Sequence, residues 1–309
     1  MGRLVIAEFR RIAARRLVRL TVLLALVGIA VGGVAAFALS DSLSEEAYQQ
    51  RVAEAEQRAE AENDQIEACL RAHGVSGDDE PSDEVADACF PSESIAGVSD
   101  PRFGRRDLRG ILQGVSAGLA LVGWALGASL VGAEYASRGM TTLLTWETRR
   151  GRVFAAKALA VLIAMAVFAF VVLALMALAL WPAVAFHGAP LGADDPTVAS
   201  LAGVVGRGIA LATLASGIGF AIATIGRNTA IALGAGFGYI IVFEYILGST
   251  VARWRKWLLL GNVIVFVSGH DGSADVAGRT VIAAGVFLAA VAVTLLAAAA
   301  GAFRTRDLA

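Results

Sequence analysis

The chain has 309 residues, of which 57% are hydrophobic, and a formal net charge of −1. Its mean hydropathy of +0.67 is that of a chain too apolar for an ordinary soluble domain. The apolar residues collect into runs of about twenty, the length that crosses a hydrocarbon layer of ~30 Å. The sequence therefore predicts an all-α polytopic membrane protein, organised as a single transmembrane domain over residues 1–309.

A cationic segment, residues 1–16, opens the chain, and its arginines alternate with apolar residues. This spacing predicts an amphipathic entry helix on the lipid surface. The alternative is that the segment extends the first span with a cationic start. The apolar run that follows is too long for a signal-peptide core, and no small-residue cleavage site follows it, so we expect a retained span.

Six apolar runs predict six transmembrane helices. They cover residues 17–39, 110–133, 154–184, 201–225, 229–248 and 280–303. Arginines concentrate before the first run and in the short loop after the second, and this bias places both termini in the cytoplasm. Glycine pairs spaced GxxxG indicate close helix packing. The pairs are Gly28/Gly32, Gly114/Gly118, Gly123/Gly127 and Gly234/Gly238.

The insertion at residues 41–109 is acidic and lies outside in this orientation. Its stretch "SEEAYQQRVAEAEQRAEAENDQIEACL" is rich in helix formers but lacks an apolar stripe, which predicts a helix that is solvated or leans on a partner. Cys69 and Cys89 are the only cysteines, and an outer compartment permits a disulfide between them. Two free thiols, or a metal site with His73, are the alternatives. Because no further ligand with zinc spacing accompanies His73, we expect no metal.

Two charged residues, Arg207 and Glu244, lie inside the fourth and fifth predicted spans. These spans form a hairpin around residues 226–228, which places both side chains at a similar depth. An intramembrane ion pair is predicted, because burial of an unpaired charge in the membrane is costly. Contact with a substrate or an ion, and separate snorkelling of the two side chains, are the alternatives.

A shorter apolar stretch, Trp257 to Ser268, lies within residues 250–278 and is too short to cross the membrane. Tryptophan and lysine flank it, as is typical of segments at a membrane interface. We expect a re-entrant or interfacial helix on the outer face. The alternative is an extended loop packed on the helix ends.

Residues 135–152, "YASRGMTTLLTWETRRGR", join the second and third spans on the cytoplasmic side. Leu143, Leu144 and Trp146 give this segment apolar side chains among several arginines. The pattern predicts a short amphipathic helix that docks into a groove on a soluble partner. A helix lying on anionic lipid headgroups would have the same composition and is the alternative.

This segment and its flanks resemble the coupling segment of ABC-2 type permeases. The residues that carry the resemblance are Glu134, Gly139, Thr141, Leu143, Leu144, Arg149 and Lys157. The six-span layout and the cationic entry helix also fit that family, whereas Trp146 and Glu147 stand where it often has a proline. The resemblance implies the permease subunit of an exporter in a bacterial plasma membrane. Such a subunit is driven by a separate ATP-binding cassette ATPase and pairs with a second permease copy or a related subunit.

The chain has no G-x-x-x-x-G-K-[ST] motif, so we expect ATP and Mg²⁺ to be bound by the partner ATPase and no cofactor by this chain. No Ser/His/Asp, His-x-x-x-His or paired-carboxylate arrangement has a useful spacing, and no catalytic site or nucleic-acid partner is predicted. The alternative function is an ATP-independent membrane protein: a secondary carrier, or a structural or signalling module that uses the acidic insertion. A carrier would be expected to show internal repeats, and none is convincing.

Overall fold

The computed structural model describes residues 2–40, 42–74, 85, 89, 102–137, 139, 149–188, 195–250, 256–270 and 278–305. These residues form helices joined by turns, and no strand occurs among them. In chain order the helices are α1 (Gly2–Ala14), α2 (Arg16–Leu39), α3 (Glu45–Ala72), α4 (Arg105–Ala136), α5 (Arg150–His187), α6 (Val198–Gly226), α7 (Thr229–Tyr239), α8 (Leu259–Ser268) and α9 (Val281–Thr305). After α7 the chain continues as a π-helix, Ile240–Leu247, and one further α-helical turn, Gly248–Thr250.

Six of the described helical segments are long and apolar enough to cross a membrane. They are α2, α4, α5, α6, the continuous helix Thr229–Leu247, and α9, and each overlaps one predicted span. The predicted all-α polytopic fold is therefore confirmed. Helix α8 is apolar but has ten residues, too few to cross, and it lies within the segment predicted to be re-entrant or interfacial.

The entry segment is a helix of its own. Helix α1 ends at Ala14 and α2 begins at Arg16, because Arg15 between them has an extended backbone with φ −70° and ψ 133°. The segment therefore does not simply continue the first span. Helix α1 packs mainly against α5 and less against α2, so it lies beside the start of the third span.

Helix α6 is the centre of the membrane bundle and packs against α4, α5 and α9. Its longest contact is with α4, where glycines bring the two backbones together. A Cβ on Gly123 would lie 2.6 Å from the carbonyl oxygen of Ala212, and a Cβ on Gly127 would overlap the carbonyl group of Ser216. Gly219 of α6 meets the backbone of Trp124 in the same way. Close backbone approach of this kind is how small residues stabilise helix pairs in lipid.

Helix α2 is peripheral. Its buried residues are Ile29 and Gly33, and it contacts α5 where Gly32 and Gly33 face Met176 and Ala179. Most of its large apolar side chains are exposed, which suits a helix that faces lipid or another membrane protein.

Helix α3 has no buried residue, as expected for a solvated helix. Ser44 caps its first turn by accepting a hydrogen bond from the Ala47 amide. The base of α3 is fixed by Arg102, whose buried guanidinium lies 2.7 Å from a Glu45 carboxylate oxygen and 4.0 Å from the centre of the Tyr48 ring. Arg102 therefore ties the start of the acidic insertion to the chain just before α4.

Near the far end of α3, Cys69 and Cys89 are joined by a disulfide, with their Cα atoms 5.6 Å apart, as predicted. The Nδ1 atom of His73 lies 3.8 Å from the Cys89 sulfur and 3.9 Å from the Cys69 sulfur. Because the two sulfurs are bonded to each other, they are not available as thiolate ligands for a metal in this state.

The glycine contact between α4 and α6 generates a matched pair of substitutions. Gly127→Ala places a methyl group on the backbone of α6, so we expect the bundle to lose roughly 1–3 kcal/mol of stability. Gly118→Ala adds the same methyl group to the same helix, where nothing lies within 4 Å. This control should be neutral or stabilising by up to about 1 kcal/mol, since alanine is the better helix former. Thermal unfolding of the two purified variants in detergent measures the difference, and equal behaviour would contradict the packing.

Candidate functional site

Five charged side chains meet where α4 ends and α5 begins, and we call them the ion cluster. Its members are Glu8, Arg11, Arg15, Glu134 and Lys157. Lys157 is the central cation: its Nζ atom lies 2.6 Å from Glu134 Oε2 and 3.0 Å from Glu8 Oε1. The ion cluster therefore joins α1, α4 and α5 through one ammonium group.

Two arginines extend the ion cluster. Arg15, at the junction between α1 and α2, lies 3.1 Å from Glu134 Oε1 and also donates to the backbone carbonyl of Ser129. Arg11 lies 3.1 Å from Glu8 Oε1. The Lys157 side chain is 6% exposed and that of Arg11 is 53% exposed, so the two cations contribute differently. The exposed pair is worth little, whereas loss of the buried ammonium would leave the two carboxylates with only Arg11 and Arg15 as compensating charges.

The local sequence explains why these groups converge. Glu8 and Ile12 are four residues apart and so lie on the same face of α1. Ile12 packs on the core cluster that contains Phe154 and Phe220, and this contact turns Glu8 toward Lys157 in the second turn of α5. Glu134 lies in the last turn of α4. Helix α1 is thus held on the bundle by the buried carboxylate of Glu8 as well as by apolar side chains such as Ile12.

The space beside the ion cluster is about 10 Å³, roughly the room needed for one water. Apolar side chains, among them Val131, Val161 and Phe220, close it on the side of the bundle. The ion cluster is therefore tightly packed between the helices that it connects.

A larger cavity of about 470 Å³ lies beside the ion cluster and is lined almost entirely by apolar side chains. Phe9 and Ile12 of α1 form part of its wall, and Leu26 of α2, Leu130 of α4 and Phe168 of α5 form other parts. The position of α1, which the ion cluster fixes, therefore helps to set the shape of this cavity.

The structure brings together two of the residues that carried the predicted coupling site, Glu134 and Lys157. Gly139 is exposed just beyond the end of α4, and Arg149 is exposed immediately before α5. The other four predicted residues, Thr141, Leu143, Leu144 and Trp146, lie outside the described residues. The predicted docking of this segment therefore stays a prediction, while its two flanks are held together by the ion cluster.

Sequence reasoning missed Glu8, Arg11 and Arg15 as members of this site. The charge bias that indicates membrane orientation names no partner for any of the three. The available signal was that Glu8 is the only acid before Asp41 in a segment rich in arginine. A lone acid within a cationic helix indicates a specific partner, and here that partner is Lys157.

The predicted ion pair between Arg207 and Glu244 is not formed in the part of the chain that the structure describes. Glu244 lies in the π-helical segment, where its Oε1 atom accepts a hydrogen bond of 2.7 Å from the Leu260 amide. Arg207 instead lies against Gly269. Equal depth did not bring the side chains together, because the fifth span packs on α6 mainly through α7, near the hairpin turn. The π-helical end is directed toward the start of α8.

Comparison with protein families identifies the chain's family. The sequence model of a family described as "ABC-2 family transporter protein" matches residues 4–264. The chain belongs to the ABC-2 family of transporter proteins. The resemblance seen in the sequence is thereby confirmed, and membership supports a permease subunit of an ABC transporter, a membrane subunit that serves transport. Comparison of this ABC-2 transporter protein with curated proteins and with solved structures found no match.

The matched region of this ABC-2 transporter protein contains every member of the ion cluster. It also contains the whole segment between α4 and α5, and most of α8. The site described from its contacts therefore lies within the part of the chain that defines the family.

A double-mutant cycle tests the ion cluster. Lys157→Met leaves Glu8 and Glu134 facing each other without their shared cation, so we expect a loss of about 3–5 kcal/mol in stability. Adding Glu8→Gln to that variant should recover part of the loss, because one stranded carboxylate is removed. The measurement is thermal unfolding of the single and double variants in detergent.

The control for this cycle is Arg71→Met, which breaks an exposed pair with Glu67 on α3 and should cost no more than about 1 kcal/mol. If the effects of Lys157→Met and Glu8→Gln simply add, the two residues are not coupled and the ion cluster is not a unit.

Proposed function

We propose that this ABC-2 transporter protein is the permease subunit of an exporter in a bacterial plasma membrane, driven by a separate ATP-binding cassette ATPase. The observation that carries the proposal is the ion cluster. It connects α1 to both helices that flank residues 135–152, the segment proposed to receive the ATPase. A displacement of that segment would move three helix ends together.

The packing supports a route from this segment across the membrane. Helix α4 has 32 residues and is therefore about 48 Å long. Glu134 lies near one end, in the ion cluster. Near the other end, Arg109 and Gln113 donate hydrogen bonds to the backbone carbonyl of Ser268, at the end of α8. A tilt of α4 would thus act on both faces of the bundle, and the glycine contact would carry α6 with it.

The cavity beside α1 gives the proposed motion a further consequence. Because Phe9 and Ile12 form part of its wall, a shift of α1 with α4 and α5 changes the shape of this apolar space. In the proposed cycle, ATP-driven closure of the ATPase pair presses on the coupling segment and switches the pathway outward. ATP and Mg²⁺ belong to the ATPase chain.

A second permease subunit completes the proposed assembly. Apolar side chains exposed on α2 and on the π-helical segment form surfaces that either lipid or another permease would cover. They include Leu23, Leu24, Val27 and Val31 of α2, and Ile241, Val242 and Phe243 of the π-helix. The proposed partner is a second copy of this chain or a related subunit, with both termini in the cytoplasm.

A docking variant tests the ATPase partner. We expect Leu144→Asp to release the ATPase or to uncouple ATP hydrolysis from transport, because buried apolar anchors carry most of the binding energy of an interface. Arg149→Ala, at an exposed rim position, should have a smaller effect that shrinks at high salt. The measurement is purification of the tagged permease from its own membranes, with the copurified ATPase identified by mass spectrometry and assayed.

The opposite ranking would favour a helix lying on lipid headgroups, for which the arginines matter most. Unchanged ATPase yield and coupling for Leu144→Asp would contradict the docking proposal. Absence of any ATPase from the wild-type preparation would favour the ATP-independent function, as a secondary carrier or as a structural or signalling module that uses the acidic insertion.

A further inference from the structure

Arg207 lies within the fourth span and forms no hydrogen bond or ion pair with any residue that the structure describes. Its Nε atom is buried and without a hydrogen-bond partner in that part of the chain. Glu244, the acid predicted to neutralise it, is bound to the Leu260 amide instead. Unsatisfied buried donors are rare in folded proteins, and a bound ion or water is one of the explanations for such a donor.

The surroundings of Arg207 are cationic. Arg109 of α4 and Arg207 of α6 reach neighbouring backbone positions, Ser268 and Gly269. The Nη2 atom of Arg109 donates to the Ser268 carbonyl at 2.8 Å and lies 3.3 Å from the ring of His270. Two guanidinium groups and an imidazole therefore gather at the end of α8.

The backbone at this point leaves room for a guanidinium group. Gly269 ends α8 with φ +69°, and a Cβ at this position would overlap the Nη2 atom of Arg207. Arg207 thus packs against bare backbone. His270, the next residue, is exposed, so the group of donors is open on one side.

Two acids that the structure describes near the starts of α4 and α6 are already engaged. Asp107 accepts a hydrogen bond of 2.8 Å from the Gly104 amide, and Asp195 lies 3.2 Å from Arg106. The carbonyl groups at the end of α8 compensate part of the charge of Arg109. None of these carbonyl groups accepts a hydrogen bond from the Nε atom of Arg207.

We propose that Arg207 and Arg109, with His270 at the rim, bind a phosphate group. A guanidinium group offers several N–H donors in a fixed fork that matches the oxygens of phosphate, and such charge-assisted bonds are strong. The site lies at the end of the spans opposite the ion cluster, where the phosphates of lipid headgroups are the nearest abundant anions. Lipid headgroup and free phosphate share this chemistry, and the experiment separates them.

The test is thermal unfolding of the full chain, purified in detergent with its lipid removed. Two probes are added at constant ionic strength: inorganic phosphate, and phosphatidylglycerol with short acyl chains. We expect at least one probe to raise the unfolding temperature of the wild type by several degrees, because a ligand that binds the folded state stabilises it. Protection by both probes shows that the phosphate group suffices, and protection by the lipid alone assigns the site to a headgroup.

Variants decide whether the proposed residues hold the probe. Arg207→Gln and Arg109→Gln should abolish the shift. Arg106→Gln, which removes the same charge one helical turn before Arg109, should keep it. Without a probe, Arg207→Gln should be at least as stable as the wild type, because an unsatisfied charge has been removed. Should Arg207→Gln fail to fold, Arg207→Lys keeps the charge without the fork and should bind the probe more weakly.

Two outcomes would overturn the proposal. One is that neither probe protects the wild type, and the other is that Arg207→Gln is protected as well as the wild type. Asp271 follows His270 in the sequence and lies outside the described residues. Where no probe protects the wild type, a loss of stability in Asp271→Asn of the size expected for a lost ion pair assigns the counter-ion to the chain itself.

Discussion

One buried ammonium group determines how this protein is joined at the face where its partner is proposed to act. Lys157 is held by two carboxylates that come from different helices, Glu8 of α1 and Glu134 of α4. Neither acid is close to Lys157 in the sequence, so their contact depends on the fold. Two contacts position α1: the ion pair of Glu8 with Lys157 and the packing of Ile12 on the hydrophobic core. The entry helix, the second span and the third span are therefore joined at this face by one set of ion pairs.

The rest of the bundle extends this unit across the membrane. Glycine contacts hold α4 on α6 without intervening side chains, so a tilt of one helix must involve the other. At the far end of α4, Arg109 and Gln113 bond to the end of α8. The proposed anion site lies at that same junction. Both ends of α4 thus carry polar contacts, separated by a long apolar helix pair.

The sequence predicted the six spans well, because apolar length alone specifies a membrane crossing. It predicted packing less well. Of the GxxxG pairs, Gly123 and Gly127 of α4 meet the α6 backbone, whereas a Cβ on Gly114 or Gly118 of the same helix would have no atom of the described residues within 4 Å. A GxxxG pair identifies small residues on one face of a helix, but it does not predict whether another helix packs against that face.

The candidate site shows the same limit of sequence reasoning. Glu134 and Lys157 were found through a family resemblance, but Glu8 was missed because its role depends on α1 packing beside α5. The pairing of Arg207 with Glu244 was predicted from depth. The position of a residue along its helix gives its depth in the membrane, but it does not give the direction in which its side chain points around the helix axis. The π-helix that contains Glu244 changes that direction, and no clear sequence pattern predicts it.

The central claim is that α1 and the end of α4 move together when ATP is bound and hydrolysed. Spin labels at Arg10 and Ser137, both exposed, report the distance across the ion cluster by electron paramagnetic resonance in the complex with the ATPase. The account predicts that this distance stays constant between the nucleotide-free and ATP-bound states, while the distance between the two Ser137 labels of paired permease subunits changes. A distance from Arg10 to Ser137 that changes on ATP binding would contradict it.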